Sequence, residues 1–576
     1  MCCAEIVRCG IPHGSGHQGE ANPEQQFLQV QTAVCRNVDH CRLRAVCSAK
    51  PRLSMRLLPQ NSISAYNGNI FFEIIWYNRS VSLQGRIPFA IMVQVSRKER
   101  GSMAVLRWLF AGYGAAVFLF MASDARALQA SAVSPAARPN ILLVTIDTLR
   151  ADHVGCYGYR RATTPTIDRL AGQGTVFTRA FSNTPWTTPS HYCFMTGALV
   201  SRHGSRDNLR NRTGVQGSVP VMISEVLRSA GYDTAAFVSG YPLLRRSGLA
   251  AGFSVYDDTM QDKLFGGTWK VERRAPQTAD AFKRWWKARG AGAPWFVWVH
   301  FYDPHGPYTP LPEYANMFVD DGLGPRDEVL DAPGNEPKPP GWTKIAGERQ
   351  DRQYYISQYD AEIRMADDGV KAIVSLLEQA AQLESTIIVV SADHGEYLGE
   401  HGRWFVHDDL YSQSLMIPMV FSGPGVPRGE RSDAITESID VAPTLLSLAG
   451  IAPPASMMGT KLFTGDGNVR RHARDLVLSE SPRTNRCSVT GGSLQWIGTH
   501  PHTELHDYRH DPLRRRNLIG ELAYESKMMR QFAGDAVSRA RRPWTADNAP
   551  SPAPTQQTSP LNPKDRDALR SLGYIE

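Results

Sequence analysis

Strands that look buried on both faces alternate with helices through the middle of the chain, and this alternation limits the possible folds more than any other feature. The clearest strand is Asn140–Ile146, a continuous apolar and partly β-branched run typical of parallel strands. Further strands are predicted at residues 234–238, 295–300 and 386–391, and helices at residues 165–171, 219–230, 279–288 and 359–381. Repeated strand–helix units predict an α/β fold with a mostly parallel sheet sandwiched by helices.

The pattern changes after residue 450. Short strands are predicted at residues 475–478 and 494–497, and residues 449–454 carry a glycine and two prolines, as linkers do. We therefore expect a catalytic domain over residues 128–450 and a small antiparallel α+β domain over residues 451–530. Residues 543–576 are predicted to form a Pro-rich linker followed by a short helix. We expect this helix to pack against the rest of the protein; a partner-binding role is the alternative.

The N-terminal part of the chain differs from the rest in its cysteine content and in its lack of a regular pattern. Residues 1–102 hold six of the nine cysteines and show no sustained helix or strand period, so we expect a doubtful or disordered extension; a disulfide module is the alternative. Residues 103–127 combine an arginine, a short apolar run and a small-x-small site, the pattern of a secretory signal peptide. The sequence therefore predicts a periplasmic or secreted protein. An uncleaved membrane anchor stays open, although the run is short for a span of about 20 residues.

The mature chain would keep only Cys156, Cys193 and Cys487, which allow at most one disulfide. The net charge of +7 is spread along the sequence without a basic stripe studded with aromatic residues. This pattern argues against nucleic-acid binding.

Polar clusters follow three of the predicted strands, at residues 147–150, 303–305 and 393–396. Because ligands of open parallel sheets bind beyond the carboxyl ends of the strands, a site is expected there. Asp147, Asp393 and His394 supply two carboxylates and an imidazole, which suit Mn²⁺, Zn²⁺, Mg²⁺ or Ca²⁺. Thr187 is the candidate fourth ligand.

Thr187 is also the candidate nucleophile. Pro189 fits the first turn of a helix that begins near Thr188, which places Thr187 at or beside the N-cap. A threonine there is commonly a simple cap. The same position lies in the positive field of the helix N-terminus, and a neighbouring divalent cation makes a hydroxyl more acidic.

The remaining candidates are proton carriers and substrate-binding groups. His305, His407 and His191 are predicted to move protons, and Ser190, His305 and His407 to hold substrate oxygens. Arg150 is predicted to pair either with site carboxylates or with substrate.

Several motifs in a fixed order resemble one known family. The matching segments are residues 139–158, 187–197, 203–204, 225–232, 303–308 and 393–402. Over residues 138–517, plus the tail Leu572-Gly573-Tyr574, the chain resembles the bacterial sulfatase-like hydrolases of the alkaline-phosphatase superfamily. The family's nucleophile is a formylglycine made from a cysteine two residues before the proline, and here that residue is Thr187. His191 stands where the family motif ends in arginine, and Thr148 replaces the second aspartate of the metal pair.

The set of Asp147, Thr187, Asp393 and His394 resembles the single-metal threonine phosphotransferases of the same superfamily. The resemblance implies an exported ester hydrolase that uses one divalent metal ion (Ca, Mn, Zn or Mg) and no formylglycine, and that cleaves or transfers a phosphoester group. The alternatives are a sulfuric ester hydrolase without formylglycine and a non-catalytic binding protein. The implied partner is an anionic ester: a sulfated or phosphorylated glycan, a lipid head group or a small molecule.

Overall fold

A computed structural model describes parts of the chain. The described residues are 65–66, 69–70, 72–74, 89–91, 138–208, 220–260, 262–263, 270–290, 292–324, 351–471, 474–499 and 502–541. The predicted signal peptide at residues 103–127, the linker and helix at 543–576 and most of the N-terminal extension lie outside this part.

Two compact units divide the chain, Met1–Val133 and Ser134–Glu576. The first contains four short strands, β1 (Ala65–Tyr66), β2 (Asn69–Ile70), β3 (Phe72–Ile74) and β4 (Phe89–Ile91), which pair as β1 with β2 and β3 with β4.

The second unit contains the remaining strands. They are β5 (Asn140–Ile146), β6 (Gly174–Phe181), β7 (Asp233–Phe237), β8 (Val255–Asp257), β9 (Asp262–Lys263), β10 (Lys270–Glu272), β11 (Trp295–Phe301), β12 (Thr386–Ala392), β13 (Met416–Ile417), β14 (Met419–Ser422), β15 (Glu430–Glu437), β16 (Val477–Ser481), β17 (Arg486–Gly491), β18 (Leu494–Thr499) and β19 (His502–Asp507). One sheet of nine described strands has the order β13-β6-β14-β12-β5-β11-β7-β8, with β15 paired to β6. The core strands β12, β5, β11, β7 and β8 run parallel. The predicted mostly parallel sheet is therefore confirmed.

Helices connect and flank these strands. They are α1 (Pro165–Gly172), α2 (Thr187–Thr196), α3 (Val200–His203), α4 (Ile223–Ser229), α5 (Ala275–Ala288), α6 (Arg352–Gln379), α7 (Ser412–Leu415), α8 (Val441–Leu448) and α9 (Ala523–Arg541). Single 3₁₀ turns occur at Ala151–His153, Gly155–Tyr157, Tyr241–Leu243, Arg245–Ser247, Leu383–Ser385, Glu400–Gly402 and Ser438–Asp440. None of the helices that the structure describes combines the length and apolar character needed to cross a membrane.

The register of the three central strands explains the position of the site. Ile146 of β5 pairs with Phe301 of β11 and with Ala392 of β12, so the three strands end at one level. All three strands are buried almost throughout. The residues that follow each strand are therefore brought to one edge of the sheet.

The region after residue 450 contains the expected small antiparallel sheet. Strands β16 to β19 pair in sequence order, and α9 packs against β17 and β18. Cys156, Cys193 and Cys487 are all free thiols, so the single disulfide that three cysteines allow does not form. The division of the chain at residue 450 stays a prediction.

Several helix starts differ from the sequence-based positions. Helix α6 begins at Arg352 rather than at residue 359, because the carboxylate of Asp351 accepts a hydrogen bond from the backbone N–H of Tyr354 and caps the helix. Helix α5 begins at Ala275 rather than at residue 279. There Pro276 occupies the first turn, where the missing N–H carries no cost.

Candidate active site

Two carboxylates and an imidazole meet where β5 and β12 end. Asp147 follows β5, and Asp393 and His394 follow β12; one ligand atom from each lies within 4.8 Å of the others. His394 Nε2 is 3.4 Å from Asp393 Oδ2 and 3.9 Å from Asp147 Oδ1. All three side chains are fully buried. The structure thus brings together the three residues expected to bind a metal.

Three of the four carboxylate oxygens in this cluster lack hydrogen-bond donors. Both oxygens of Asp147 and Oδ2 of Asp393 are buried without a hydrogen-bond partner among the described residues. Burial raises the pKa of both carboxyls, and for Asp147 the nearby charge of Asp393 adds to the effect. Unpaired buried carboxylates are costly, whereas a divalent cation would compensate them. Two carboxylates and one neutral imidazole therefore fit a divalent metal ion.

Backbone contacts fix the tautomer of His394. Its Nδ1 lies 3.0 Å from the carbonyl oxygen of Gly395, which can only accept, so Nδ1 carries the proton. The lone pair of Nε2 then faces the hydroxyl oxygen of Thr187, at 3.3 Å. Burial lowers the pKa of His394 to about 3, which keeps the ring neutral.

Thr187 is the first residue of helix α2, and the N-cap position belongs to Trp186. Thr187 therefore lies beside the N-cap, as expected, although the helix begins one residue earlier than the predicted start near Thr188. Its hydroxyl faces His394, and its carbonyl accepts a hydrogen bond from His191 Nδ1 at 2.8 Å. This arrangement does not support the simple capping role. The fully buried hydroxyl lies at the positive end of α2, close to the metal-ligand cluster.

His191 has both ring nitrogens engaged within the protein. Nδ1 donates to the carbonyl of Thr187, and Nε2 accepts from the hydroxyl of Thr145 at 3.0 Å. Thr145 in turn accepts a hydrogen bond from the indole of Trp298 at 2.9 Å. These hydrogen bonds favour a positioning role for His191 over the proton-carrying role that the sequence predicted.

Two other predicted residues also make structural contacts. The hydroxyl of Ser190 donates to the carbonyl of Asp393 at 2.7 Å, which supports the loop after β12 rather than leaving the hydroxyl for substrate. Arg150 forms ion pairs with Asp152 at 2.7 Å and Glu400 at 2.8 Å. Of the two alternatives for Arg150, the structure therefore favours pairing with carboxylates, but not with the two in the candidate metal cluster.

The last two candidates lie together beside the metal-ligand cluster. His305 and His407 have ring centroids 5.6 Å apart, and His407 stacks on His394 with centroids 4.1 Å apart. Both imidazoles are buried, and burial lowers the pKa of each to about 3. The His407 ring thus lies against the His394 ring, whose Nε2 faces the Thr187 hydroxyl.

The sequence analysis gave no site role to three residues that the structure places there. His300, near the end of β11, places Nε2 3.5 Å from Asp147 Oδ2. Glu396 packs against His305 and His407, although only its membership of an acidic segment was noted. Thr148 adopts a left-handed backbone (φ 55°) that directs its N–H to Asp393 Oδ1 at 3.2 Å. For His300, the signal in the sequence was a lone histidine in the otherwise apolar strand β11.

Comparison with known proteins agrees with this geometry. The Sulfatase family model matches residues 139–451. An N-acetylglucosamine-6-O-sulfatase from Bacteroides thetaiotaomicron is 23% identical over 475 residues, which cover 68% of this chain and 84% of the relative.

Solved structures show the same fold. BT4656, in complex with its substrate D-glucosamine-2-N,6-O-disulfate, superposes with a TM-score of 0.59 at 21% identity, covering 70% of this chain and 98% of that chain. A phosphonate monoester hydrolase of Agrobacterium radiobacter has a TM-score of 0.56 at 19% identity, covering 70% and 96%. Because the family model covers residues 139–451 of 576, more than half of the chain, this protein belongs to the sulfatase family of ester hydrolases.

Proposed function

We propose that this protein is an exported, metal-dependent hydrolase that cleaves or transfers a phosphoester group through Thr187. The observation that carries the proposal is the position of the Thr187 hydroxyl. This hydroxyl lies 3.3 Å from His394 Nε2 at the N-terminus of α2, and by the motif resemblance its residue stands at the family's nucleophile position. A threonine hydroxyl there replaces the aldehyde chemistry of the family with direct nucleophilic attack.

Asp147, Asp393 and His394 would hold the divalent ion, with the Thr187 hydroxyl as a fourth ligand. When bound, the ion supplies positive charge that favours loss of the hydroxyl proton and offsets charge on the substrate oxygens. The N-terminal dipole of α2 acts in the same direction. The residues that would hold the ion, and Thr187 at the start of α2, are buried in the absence of substrate.

The reaction would proceed by two transfers. The Thr187 oxygen gives up its proton, attacks phosphorus and forms a threonine phosphoester, while the bond to the leaving oxygen breaks and that oxygen takes up a proton. Water or an acceptor alcohol then releases the group and regenerates the hydroxyl. His305 and His407 each donate Nδ1–H to a backbone carbonyl, so Nε2 carries the lone pair in each ring, where it can accept a hydrogen bond from the attacking water or alcohol or bind a cation.

Two further parts of the proposal concern substrate and location. The buried, electron-rich ligand cluster suits an anionic ester whose charge a cation offsets, such as a sulfated or phosphorylated glycan, a lipid head group or a small molecule. The signal-peptide pattern at residues 103–127 supports export to the periplasm or secretion.

Sulfate-ester hydrolysis without formylglycine is the second candidate. The relative named N-acetylglucosamine-6-O-sulfatase and the structure bound to a glucosamine disulfate favour it. The phosphonate monoester hydrolase among the solved structures, and the threonine at the nucleophile position, favour phosphorus.

The test is turnover of 4-nitrophenyl sulfate, phosphate, phosphonate and phosphodiester esters by the purified protein with Mn²⁺, Ca²⁺, Zn²⁺ or Mg²⁺. Thr187→Ala is expected to lower turnover of the phosphorus esters by about 10³-fold or more. Thr188→Ala is the matched control, because the Thr188 hydroxyl donates to the carbonyl of Pro242 outside the cluster.

Each outcome selects one function. Metal-dependent release from phosphorus esters that is lost in Thr187→Ala and kept in Thr188→Ala supports the proposal. Release from the sulfate alone establishes the second candidate. Binding of these esters without turnover identifies a non-catalytic binding protein.

A further inference from the structure

A second group of ligand atoms lies beside the first. His305, Glu396 and His407 each place one ligand atom within 4.8 Å of the other two, and all three side chains are buried. The sequence predicted a single divalent ion and gave the two histidines roles in proton transfer and substrate binding. The structure adds a carboxylate to them.

The two imidazoles of this group present the same nitrogen. His305 Nδ1 donates to the carbonyl of Gly306, and His407 Nδ1 donates to the carbonyl of Pro185, both at 2.7 Å. Since a carbonyl oxygen only accepts, Nε2 carries the lone pair in each ring. Metal-binding histidines are commonly oriented by such a bond from the opposite nitrogen.

Glu396 is arranged in a matching way. Its Oε2 accepts a hydrogen bond from the hydroxyl of Tyr308 at 2.6 Å, and its Oε1 is buried without a partner among the described residues. The Arg150 guanidinium forms ion pairs with Glu400 and Asp152 and donates to the backbone carbonyl of Glu396, rather than to its carboxylate. A buried carboxylate oxygen that has no hydrogen-bond donor and lies beside two imidazoles is costly unless a cation binds to it.

We propose that His305 Nε2, His407 Nε2 and Glu396 Oε1 bind a second divalent ion, for which Zn²⁺ is the best match. Two histidines and one glutamate are the ligand set of several catalytic zinc sites, which leave a fourth position for water or substrate. Zn–N and Zn–O bonds of about 2 Å require ligand atoms about 3.3 Å apart in a tetrahedron, so small side-chain rotations would close the group around the ion.

The second site adjoins the first because the rings of His407 and His394 stack at 4.1 Å. Two neighbouring ions can stabilise the attacking and the leaving oxygens of one displacement. This inference extends the proposed function, because the role of the second ion in the reaction rests on that function. The binding of that ion is tested separately from turnover.

The experiment measures bound zinc. Metal-free full-length protein is loaded with excess Zn²⁺, desalted and analysed by mass spectrometry for zinc per chain. Two ions per chain are expected for the wild type and one for Glu396→Gln and for His407→Gln. The control is His401→Gln, which lies in the same loop region but outside the ligand group, and it should keep two.

The outcomes separate the two proposals. One ion per wild-type chain, or two ions in both variants, would overturn the second site. If Thr187→Ala keeps its turnover, the nucleophile proposal fails, yet the zinc counts of the Glu396 and His407 variants still decide the second site. Titration of the wild type with Co²⁺ provides a check that needs no variant: absorption that saturates at two equivalents supports the proposal, and saturation at one contradicts it.

Discussion

The Nε2 atom of His394 lies 3.3 Å from the hydroxyl oxygen of Thr187. The two residues come from the loop after β12 and from the first turn of α2, and both are fully buried. The Nδ1–H of His394 is held by its neighbour's carbonyl, so the contact uses the lone pair of Nε2. A hydroxyl in this position can donate its proton to the imidazole or share a cation with it.

Removing the metal should destabilise the protein. Without a cation, Asp147 and Asp393 face each other with three carboxylate oxygens that have no described partner. At an ion concentration about 100 times Kd, binding adds about 2.7 kcal/mol to the free energy of unfolding. Chelation should therefore lower Tm and abolish turnover, and added Zn²⁺ or Mn²⁺ should restore both.

The double variant Asp147→Asn, Asp393→Asn is the control for this prediction. It removes both carboxylate charges, so its thermal unfolding should depend much less on chelator than that of the wild type. If chelation lowered the Tm of the wild type and of the double variant equally, the stabilising ion would bind elsewhere.

Ser190→Ala should change stability and leave substrate binding alone. The Ser190 hydroxyl donates to the carbonyl of Asp393 at 2.7 Å and lies 3.2 Å from the hydroxyl of Ser182. Loss of one such hydrogen bond costs about 1 kcal/mol of unfolding free energy. We expect that decrease in urea unfolding, with KM unchanged. A large rise in KM at unchanged stability would restore the substrate-binding role that the sequence predicted.

The sheet could be predicted because each of its main strands is a short continuous run of apolar residues in the sequence. Strand β5 was located correctly from a run of apolar residues, and β12 was located to within one residue from the same signal. The meeting of Asp147 with Asp393 followed from the rule that parallel strands end at one edge. None of these steps required knowledge of side-chain packing.

The functions of individual side chains could not be predicted in the same way. The sequence alone does not distinguish His191 from His407. In the structure, both ring nitrogens of His191 are hydrogen-bonded, one to Thr187 and one to Thr145. One ring nitrogen of His407 instead lies near a carboxylate. That difference depends on contacts between distant segments. Helix starts were also missed, because capping by Asp351 depends on side-chain geometry.

Glu504 should stabilise the C-terminal sheet at neutral pH and lose this effect in acid. Partial burial alone would raise its pKa, but hydrogen bonds from His506, Tyr411 and Arg486 lower it to about 2. A glutamate in the unfolded chain has a pKa of about 4.3. The contribution is therefore fully present above that value and is lost as pH falls towards 2.

The matching variant is Glu504→Gln. Because the group is partly exposed, the expected loss is about 1 kcal/mol of unfolding free energy at pH 7, and the difference from wild type should shrink at pH 3.5. Glu378→Gln removes an exposed ion pair with Arg169 and should have almost no effect at either pH. An effect of Glu504→Gln that grows on acidification would contradict the assignment.

Gly395→Ala should inactivate the enzyme although the substitution adds only a methyl group. A Cβ at Gly395 would lie 2.0 Å from the carbonyl oxygen of Gln413, so the backbone must move. Gly395 lies between His394 and Glu396, and its carbonyl holds the His394 ring. We expect at least a 10²-fold fall in kcat/KM and a reduced zinc content, since displacement by about 1 Å is enough for such losses. Gly172→Ala, where a Cβ meets no atom within 4 Å, is the control and should keep both activity and zinc. Retention of full activity by Gly395→Ala would show that the loop after β12 does not position the reacting groups.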